Sequence, residues 1–404
     1  MPDVIVVGAG PSGSAAAAIL ARGGVRVLLL DRAVFPRPKP CGDYLNPGCG
    51  ALLGRLGVGD ALSRSGARRV RGMRVVAPDG CAVTLPFSRG AGWAMPRQML
   101  DHILLSHAIA LGTSVVEHAR VTAVHQDRTR VYVAVERGRA MRRESYAAPV
   151  LIGADGLHSS VARAVGAGGP PRLGRFTVGA YLEGVARETT DREREETDTG
   201  ELHIGPDRYC GVAYLPGGLA NVTIALGRAD LRAWRGALEA RYWSTLATFP
   251  GLAGRLTRAR RAARFVTSGP LAYFRRRAVS GNVLLTGDAA AHIDPFTGQG
   301  VYLALRGAEL AAAAVTRALS RDGEAHAALE AYDRARSSEF GLVFLTSRLL
   351  QCLAFRPMVI RRAIRRMTAH PDLGARVIGV TGNEESPGSV FRPGFLTRIL
   401  GIAP

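Results

Sequence analysis

The chain has 404 residues, enough for two domains or one large domain with an insertion. Its 47% hydrophobic content and near-zero mean hydropathy fit a soluble globular protein, and no stretch reaches the roughly 18 uninterrupted apolar residues of a spanning helix. The net charge of +20 raises nucleic acid as a partner, but almost all of it is arginine spread along the chain, with lysine only at Lys39. No recognition module or aromatic-interleaved basic stripe accompanies it, so nucleic-acid binding is set aside. The five cysteines, Cys41, Cys49, Cys81, Cys210 and Cys352, are scattered, and no export signal precedes the first apolar run. A reduced, cytoplasmic setting is therefore expected, with a peripheral place on the inner membrane face as the second expectation.

Val4–Val7 reads as a buried parallel strand, Ser12–Arg22 as an alanine-rich helix and Val25–Leu30 as the next strand. Between the strands lie Gly8, Gly10 and Gly13, and Asp31 closes the second strand. A G-x-G-x-x-G in that context suits a dinucleotide. Gly8 allows the turn, and Gly10 lets the backbone approach a pyrophosphate at the helix N-terminus, beside Pro11 and Ser12. Gly13 lets helix and strand pack closely. Asp31, followed by Arg32, is placed to accept from a ribose hydroxyl, and its charge disfavours a 2′-phosphate.

The prolines of residues 35–50 predict a fixed loop without helix. Arg71–Ala77 and Cys81–Leu85 alternate around Pro78-Asp79-Gly80, a hairpin signal. Met99–Leu111 has helical spacing, and Arg97 ahead of it could offset pyrophosphate charge. Val115–Glu117, Val121–His125 and Val131–Glu136 read as a strand and a meander, with Val121 on the cofactor side. Leu151–Gly156 closes this block, with Asp155 and Gly156 as cofactor contacts. Antiparallel strands follow at Thr177–Val185, Leu202–Ile204, Tyr209–Leu215 and Asn221–Leu226, and the polar residues 186–200 predict a mobile surface loop.

Val283–Thr286 returns to the parallel sheet and leads into a second glycine turn, Gly287-Asp288, then His292, Pro295, Gly298, Gln299 and Gly300. Gly287 permits close approach and Asp288 suits a polyol. The helix predicted from Gln299 to Leu319 would aim its positive end at a flavin edge that gains charge on reduction. Two such turns so far apart point to one long, two-part cofactor held at its two ends, which FAD fits. The result is a discontinuous Rossmann-type α/β domain (1–66, 94–170, 266–324), an inserted antiparallel β-rich substrate domain (67–93, 171–265) and a helical C-terminal region (325–404). No metal site is predicted.

Gly8-x-Gly10-x-x-Gly13, Gly153-Ala-Asp155-Gly156 and Gly287-Asp288 with Pro295 and Gly298-Gln-Gly300 resemble the fingerprints of the hydroxybenzoate-hydroxylase-like flavoproteins. Lys39-Pro-Cys41-Gly42-Asp43-Tyr44-Leu45 resembles the segment of the geranylgeranyl-reductase branch. The resemblance implies non-covalent FAD at a two-domain junction, NAD(P)H as a transient donor, and Lys39, Cys41 and Gly42 beside the flavin ring. Lys39 there could lower the Cys41 thiol pKa or stabilise an anionic intermediate. Lys39, Cys41, His292 and Pro295 are the candidate catalytic residues, and Tyr44, Ala213, Tyr214 and Pro216 the candidate substrate pocket.

Two departures bear on chemistry. Ala213 and Leu215 stand where the reductases carry large aromatics, and Gln299 replaces their usual glutamate. Both favour a monooxygenase acting on a bulky apolar polyketide, aromatic or isoprenoid-like metabolite; C=C reduction is the alternative. With only Trp93, Trp234 and Trp243, the halogenase tryptophan motif is absent. The apolar Phe340–Phe355, followed by Arg356, Arg361, Arg362, Arg365 and Arg366, could meet an anionic membrane or guide an apolar substrate.

Overall fold

The computed structural model describes residues 1–168, 174–187, 198–271, 274–320 and 325–401. Four-residue runs such as Val4–Val7 and Val27–Leu30 are buried at every position, as strands covered on both faces must be. They form the middle of a six-stranded sheet in the order Val279–Ser280, Val283–Leu285, Val150–Gly153, Val4–Val7, Val27–Leu30, Ser114–Val116. All pairs are parallel except the first. The helix Pro11–Arg22 packs against the long helix Gly300–Ser320 and against Arg97–Ala110. Ala15 to Ala18 are at most 2% exposed, so small side chains let these helices approach closely.

The predicted hairpin forms between Gly72–Val76 and Ala82–Pro86. It adds to a large sheet ordered Arg260–Arg261, Arg175–Glu183, Leu219–Leu226, Tyr209–Tyr214, Thr199–Ile204, then the hairpin. Val266–Leu271 pairs beside Arg175–Glu183. One face of this sheet packs on Trp234, Tyr242, Leu246 and Phe249; the other looks toward the parallel sheet.

Three readings change. Pro47–Leu56 is a helix, not loop: Pro47 sits at its first position, where no N–H is needed, and the Asn46 side chain accepts from Cys49 N. The meander has a third strand, Arg142–Ala148, whose polar alternation hid it. Of the polar segment 186–200, residues 188–197 lie outside those described, and Thr199 already begins a strand. The C-terminal helices Ala325–Ala354, Pro357–Ala369, Pro371–Thr381 and Pro393–Leu400 close over the end of the large sheet.

Candidate functional site

The first turn is built as tightly as its glycines require. Gly8 has φ +103°, its N–H donates to Leu30 O at 2.7 Å, and a Cβ there would lie 2.4 Å from Ala154 O. A Cβ on Gly13 would meet Gly8 O at 1.7 Å, so Gly13 serves the helix–strand contact and stays out of the cleft. Gly10 differs: a Cβ would have open space, its nearest neighbour being Arg37 at 3.8 Å. Gly10, Pro11 and Ser12 form the cleft wall, and no side chain caps the helix behind them. That cradle, with Asp31 and Arg32 at one end, fits a bound pyrophosphate and ribose. The Asp31 carboxylate is held by backbone donors, Ala9 N at 2.6 Å and Ala33 N at 2.8 Å.

The two turns are not at opposite ends. Ser12 Oγ lies 2.9 Å from Thr286 Oγ1, and Gly287, with φ +58°, leaves room for Ser12. The second turn therefore borders the middle of the cleft, with Asp288 on its wall. The flavin-end candidates Pro295, Gly298 and Gly300 continue beyond it. Gly298 has φ +66° and its would-be Cβ meets the Tyr44 ring at 2.8 Å, which seats Tyr44 at the same corner. Val121, Asp155 and Gly156 also border the cleft, but the Asp155 carboxylate faces its own chain. It accepts from Ser160 N at 2.6 Å and Ser160 Oγ at 2.8 Å, at the start of the short helix Ser160–Ala164, which Ser159 caps. Gln299 is corrected outright. It is 2% exposed, bonded to Thr297, Ser347 and Val380 O, and does not reach the cleft.

Lys39, Cys41 and Gly42 line the cleft opposite the second turn. Lys39 reaches open cavity space, yet enclosing walls and neighbouring arginines lower its pKa while Asp288 pulls the other way. Cys41 corrects an expectation. Burial raises the thiol pKa, and the opposing cation is Arg97 rather than Lys39. The thiol is therefore protonated at neutral pH. Arg97 stands on the cavity wall, paired to fully buried Asp101 at 3.0 Å, and Arg37 reaches the same carboxylate at 3.4 Å. Burial works against the Arg97 charge, but the Asp101 carboxylate outweighs it and raises its pKa. His292 lies on the wall, 6% exposed and stacked on Phe274 with centroids 6.0 Å apart.

Sequence reasoning gave no role to the residue that holds this loop. Asp43, 1% exposed with φ +54°, accepts from Arg97 N, Tyr181 Oη and Asn221 Nδ2 at 3.0, 2.7 and 2.8 Å. Asn221 Nδ2 also donates to Cys41 O. The cofactor-facing loop is thus bolted to the large sheet.

The cleft opens into one continuous cavity of about 920 Å³. Tyr209, Gly211, Val212 and Ala213 border it, whereas the Tyr214 side chain packs in the core on the other face of the strand and Pro216 lies in the following turn, so both leave the predicted pocket. Gly211 and Ala213 keep this wall low. The far end is apolar, with Leu353, Ile360, Met367 and Ile378 from the C-terminal helices.

Tyr214 belongs instead to a buried network behind the sheet. Glu201, 4% exposed, accepts from Tyr214 Oη at 2.8 Å and Arg255 at 2.7 and 3.0 Å, and pairs with His203 Nε2 at 2.7 Å. Burial opposes its charge, but these partners win and hold its pKa at about 2. Its ionised form therefore contributes stability that is complete above the usual carboxylate value of 4.5 and is lost as pH falls toward 2. Glu201→Gln, which removes the carboxylate paired with Arg255, is expected to cost about 3–5 kcal/mol near neutral pH. Urea denaturation should show that deficit shrinking as pH drops from about 6 to about 3. A deficit independent of pH would exclude the ionised pair as its source.

A family profile described as an FAD binding domain matches residues 1–340. A menaquinone reductase of Mycobacterium tuberculosis is 35% identical over 327 residues, covering 77% of this chain and 75% of that protein. A geranylgeranyl diphosphate reductase of Synechocystis is 26% identical over 390 residues, 92% and 89% of the two chains. Among solved structures, the flavin-dependent brominase Bmp2 superposes with a TM-score of 0.82 at 20% identity, covering 98% of each chain, a likeness of fold. With its glycine cradle and cleft in place, the chain belongs to the FAD-binding-domain family and is an FAD-dependent oxidoreductase.

Proposed function

We propose that the protein saturates a carbon–carbon double bond in an elongated apolar metabolite, with NAD(P)H as the source of two electrons. The observation that carries this reading is the continuity of the cavity. It runs from the Lys39–Gly42 loop past Gly211 and Ala213 into a pocket of C-terminal apolar side chains. The relatives named menaquinone reductase and geranylgeranyl diphosphate reductase support it. Gln299 is turned away from the cleft and Ala213 borders the cavity as a small side chain that sets its shape rather than its reactivity, so neither residue favours oxygen chemistry.

FAD, when bound and reduced, supplies a hydride equivalent. The chain supplies the rest. Gly10, Pro11, Ser12, Asp31 and Arg32 would hold the adenosine and pyrophosphate part, and Asp288, Pro295, Gly298 and Gly300 the ribityl and ring part. Saturation adds one hydride and one proton across the double bond. The Cys41 thiol keeps its proton at neutral pH and stands on the cavity wall, which suits it to donate that proton and to recover it from solvent. Arg97 and Lys39 lend positive charge to the same wall.

The test is anaerobic turnover by FAD-loaded protein with NAD(P)H and prenylated quinones or isoprenoid alcohols. A product heavier by two hydrogens is expected. An oxygenated product formed only in air would overturn the reading in favour of a monooxygenase. A companion variant, Ala213→Trp, raises the low wall. It is expected to cut kcat/KM for bulky substrates about tenfold or more while leaving the flavin spectrum unchanged. Unaltered kcat/KM would remove this strand from the substrate path.

A further inference from the structure

Residues 340–371 contain no aspartate or glutamate and six arginines, at 348, 356, 361, 362, 365 and 366. The fold gives this stretch two distinct sides. Among the described residues no single helix is long and apolar enough to cross a membrane, and the helices ending at Ala354 and starting at Pro357 meet at a bend of 106°. The inner side of this elbow carries Leu353, Ala354, Ile360 and Met367 into the cavity. Its outer side carries large apolar groups in water: Leu342 is 46% exposed, Leu345 52% and Met358 86%.

Exposed arginines fall on the same helical stripes as these apolar groups. Leu342, Leu345, Arg348 and Leu349 follow helical spacing along one stripe. Met358, Arg361, Arg362 and Arg365 do the same on the next helix, which is buried only at Ile360, Ile364 and Met367. Some of these arginines have local partners. Arg361 contacts Asp79 at 3.0 Å and Arg362 donates to Gly401 O at 2.6 Å, so their alkyl stems lie fixed at the surface. Arg348, Arg356 and Arg365 are exposed. An apolar knuckle rimmed by cations, with no acidic residue in the segment, is complementary to one kind of surface.

We propose that this elbow docks on an anionic lipid bilayer, with Leu345 and Met358 at acyl depth and the arginines at the headgroups. Each exposed apolar side chain gains by leaving water, and each arginine gains from the negative surface potential. The same helices wall the cavity, so docking sets the apolar end of the cavity against the membrane, where an apolar substrate resides. This rests on the apolar-substrate reading above, but its test reads lipid binding and no turnover.

The 404-residue, FAD-loaded chain is sedimented with vesicles of phosphatidylcholine alone or mixed with phosphatidylglycerol. Binding to the mixed vesicles, weaker on neutral ones and reduced by salt, is expected. Leu345→Glu combined with Met358→Glu should lower the partition coefficient about tenfold or more, with the flavin spectrum and elution volume unchanged. Arg348→Ser with Arg365→Ser should remove much of the preference for anionic lipid. The proposal is overturned if the wild-type protein binds neither vesicle at low salt, or if the apolar double variant binds as wild type. It is equally overturned if that variant only converts a dimer to a monomer, which would make the knuckle a contact between copies.

Discussion

Purified Gly13→Ala protein is expected to be colourless, with FAD affinity down by about a hundredfold or more, roughly 3 kcal/mol. The added methyl would sit 1.7 Å from Gly8 O, a backbone atom with no freedom to yield. Gly8 itself is fixed by its bond to Leu30 O and by the approach of Ala154. The helix Pro11–Arg22 would have to slide away from the strand, taking Gly10 and Ser12 out of the cleft. Gly10→Ala separates this packing effect from a ligand effect. Its methyl meets nothing closer than Arg37 at 3.8 Å, so folding should be unchanged. It projects where the backbone forms the cleft wall, so FAD binding should weaken nonetheless. Thermal melts of the apo-proteins and flavin fluorescence titrations read the two quantities apart. Wild-type FAD affinity in Gly10→Ala would dismiss close pyrophosphate approach at this turn.

The parts of the site differ in how legible they are in the sequence. Gly8, Gly10, Gly13 and Asp31 were readable because their chemistry is local: a strand, a turn and a helix within thirty residues dictate the conformation. The mutual position of the two glycine turns was not. It depends on strands 4–7, 150–153 and 283–285 lying side by side, and the Ser12–Thr286 contact that follows spans 274 residues. Tyr214 was misplaced for a different reason. Alternation assigns residues to two faces but does not say which face is the cavity, and the buried acceptor Glu201 decided it. Gln299 looked like a cofactor residue because it sits between two glycines. Its amide instead satisfies Thr297, Ser347 and a carbonyl of the C-terminal region, a partner no local pattern announces. Pro47 shows the opposite failure, in which a rule was applied too broadly. Proline opposes helix interiors, yet it suits a first helical position behind an asparagine cap.

Asp43 was the least legible residue of all, since its partners Tyr181 and Asn221 are 138 and 178 residues away. Asp43→Ala is expected to cost about 3–5 kcal/mol of stability and to reduce turnover more than FAD binding. The carboxylate is the shared acceptor for Arg97 N, Tyr181 Oη and Asn221 Nδ2, so its removal takes the acceptor from three donors, that of Asn221 buried and the other two half-buried. Alanine also tolerates the local φ of +54° poorly, whereas aspartate and asparagine adopt it readily. The loop that carries Lys39 and Cys41 would then lose its anchor to the large sheet, although the glycine cradle would stay intact. Denaturation curves and flavin titration together should show this split between folding, binding and turnover. Asp43→Asn tests polarity alone. It preserves shape and backbone preference but presents an amide where Asn221 also presents one, so a donor faces a donor. Adding Asn221→Asp reverses the pair and restores one donor to one acceptor. Partial recovery of turnover in the exchanged double variant is the expected result. A double variant no better than the sum of its parts would show that Asp43 does not act through Asn221.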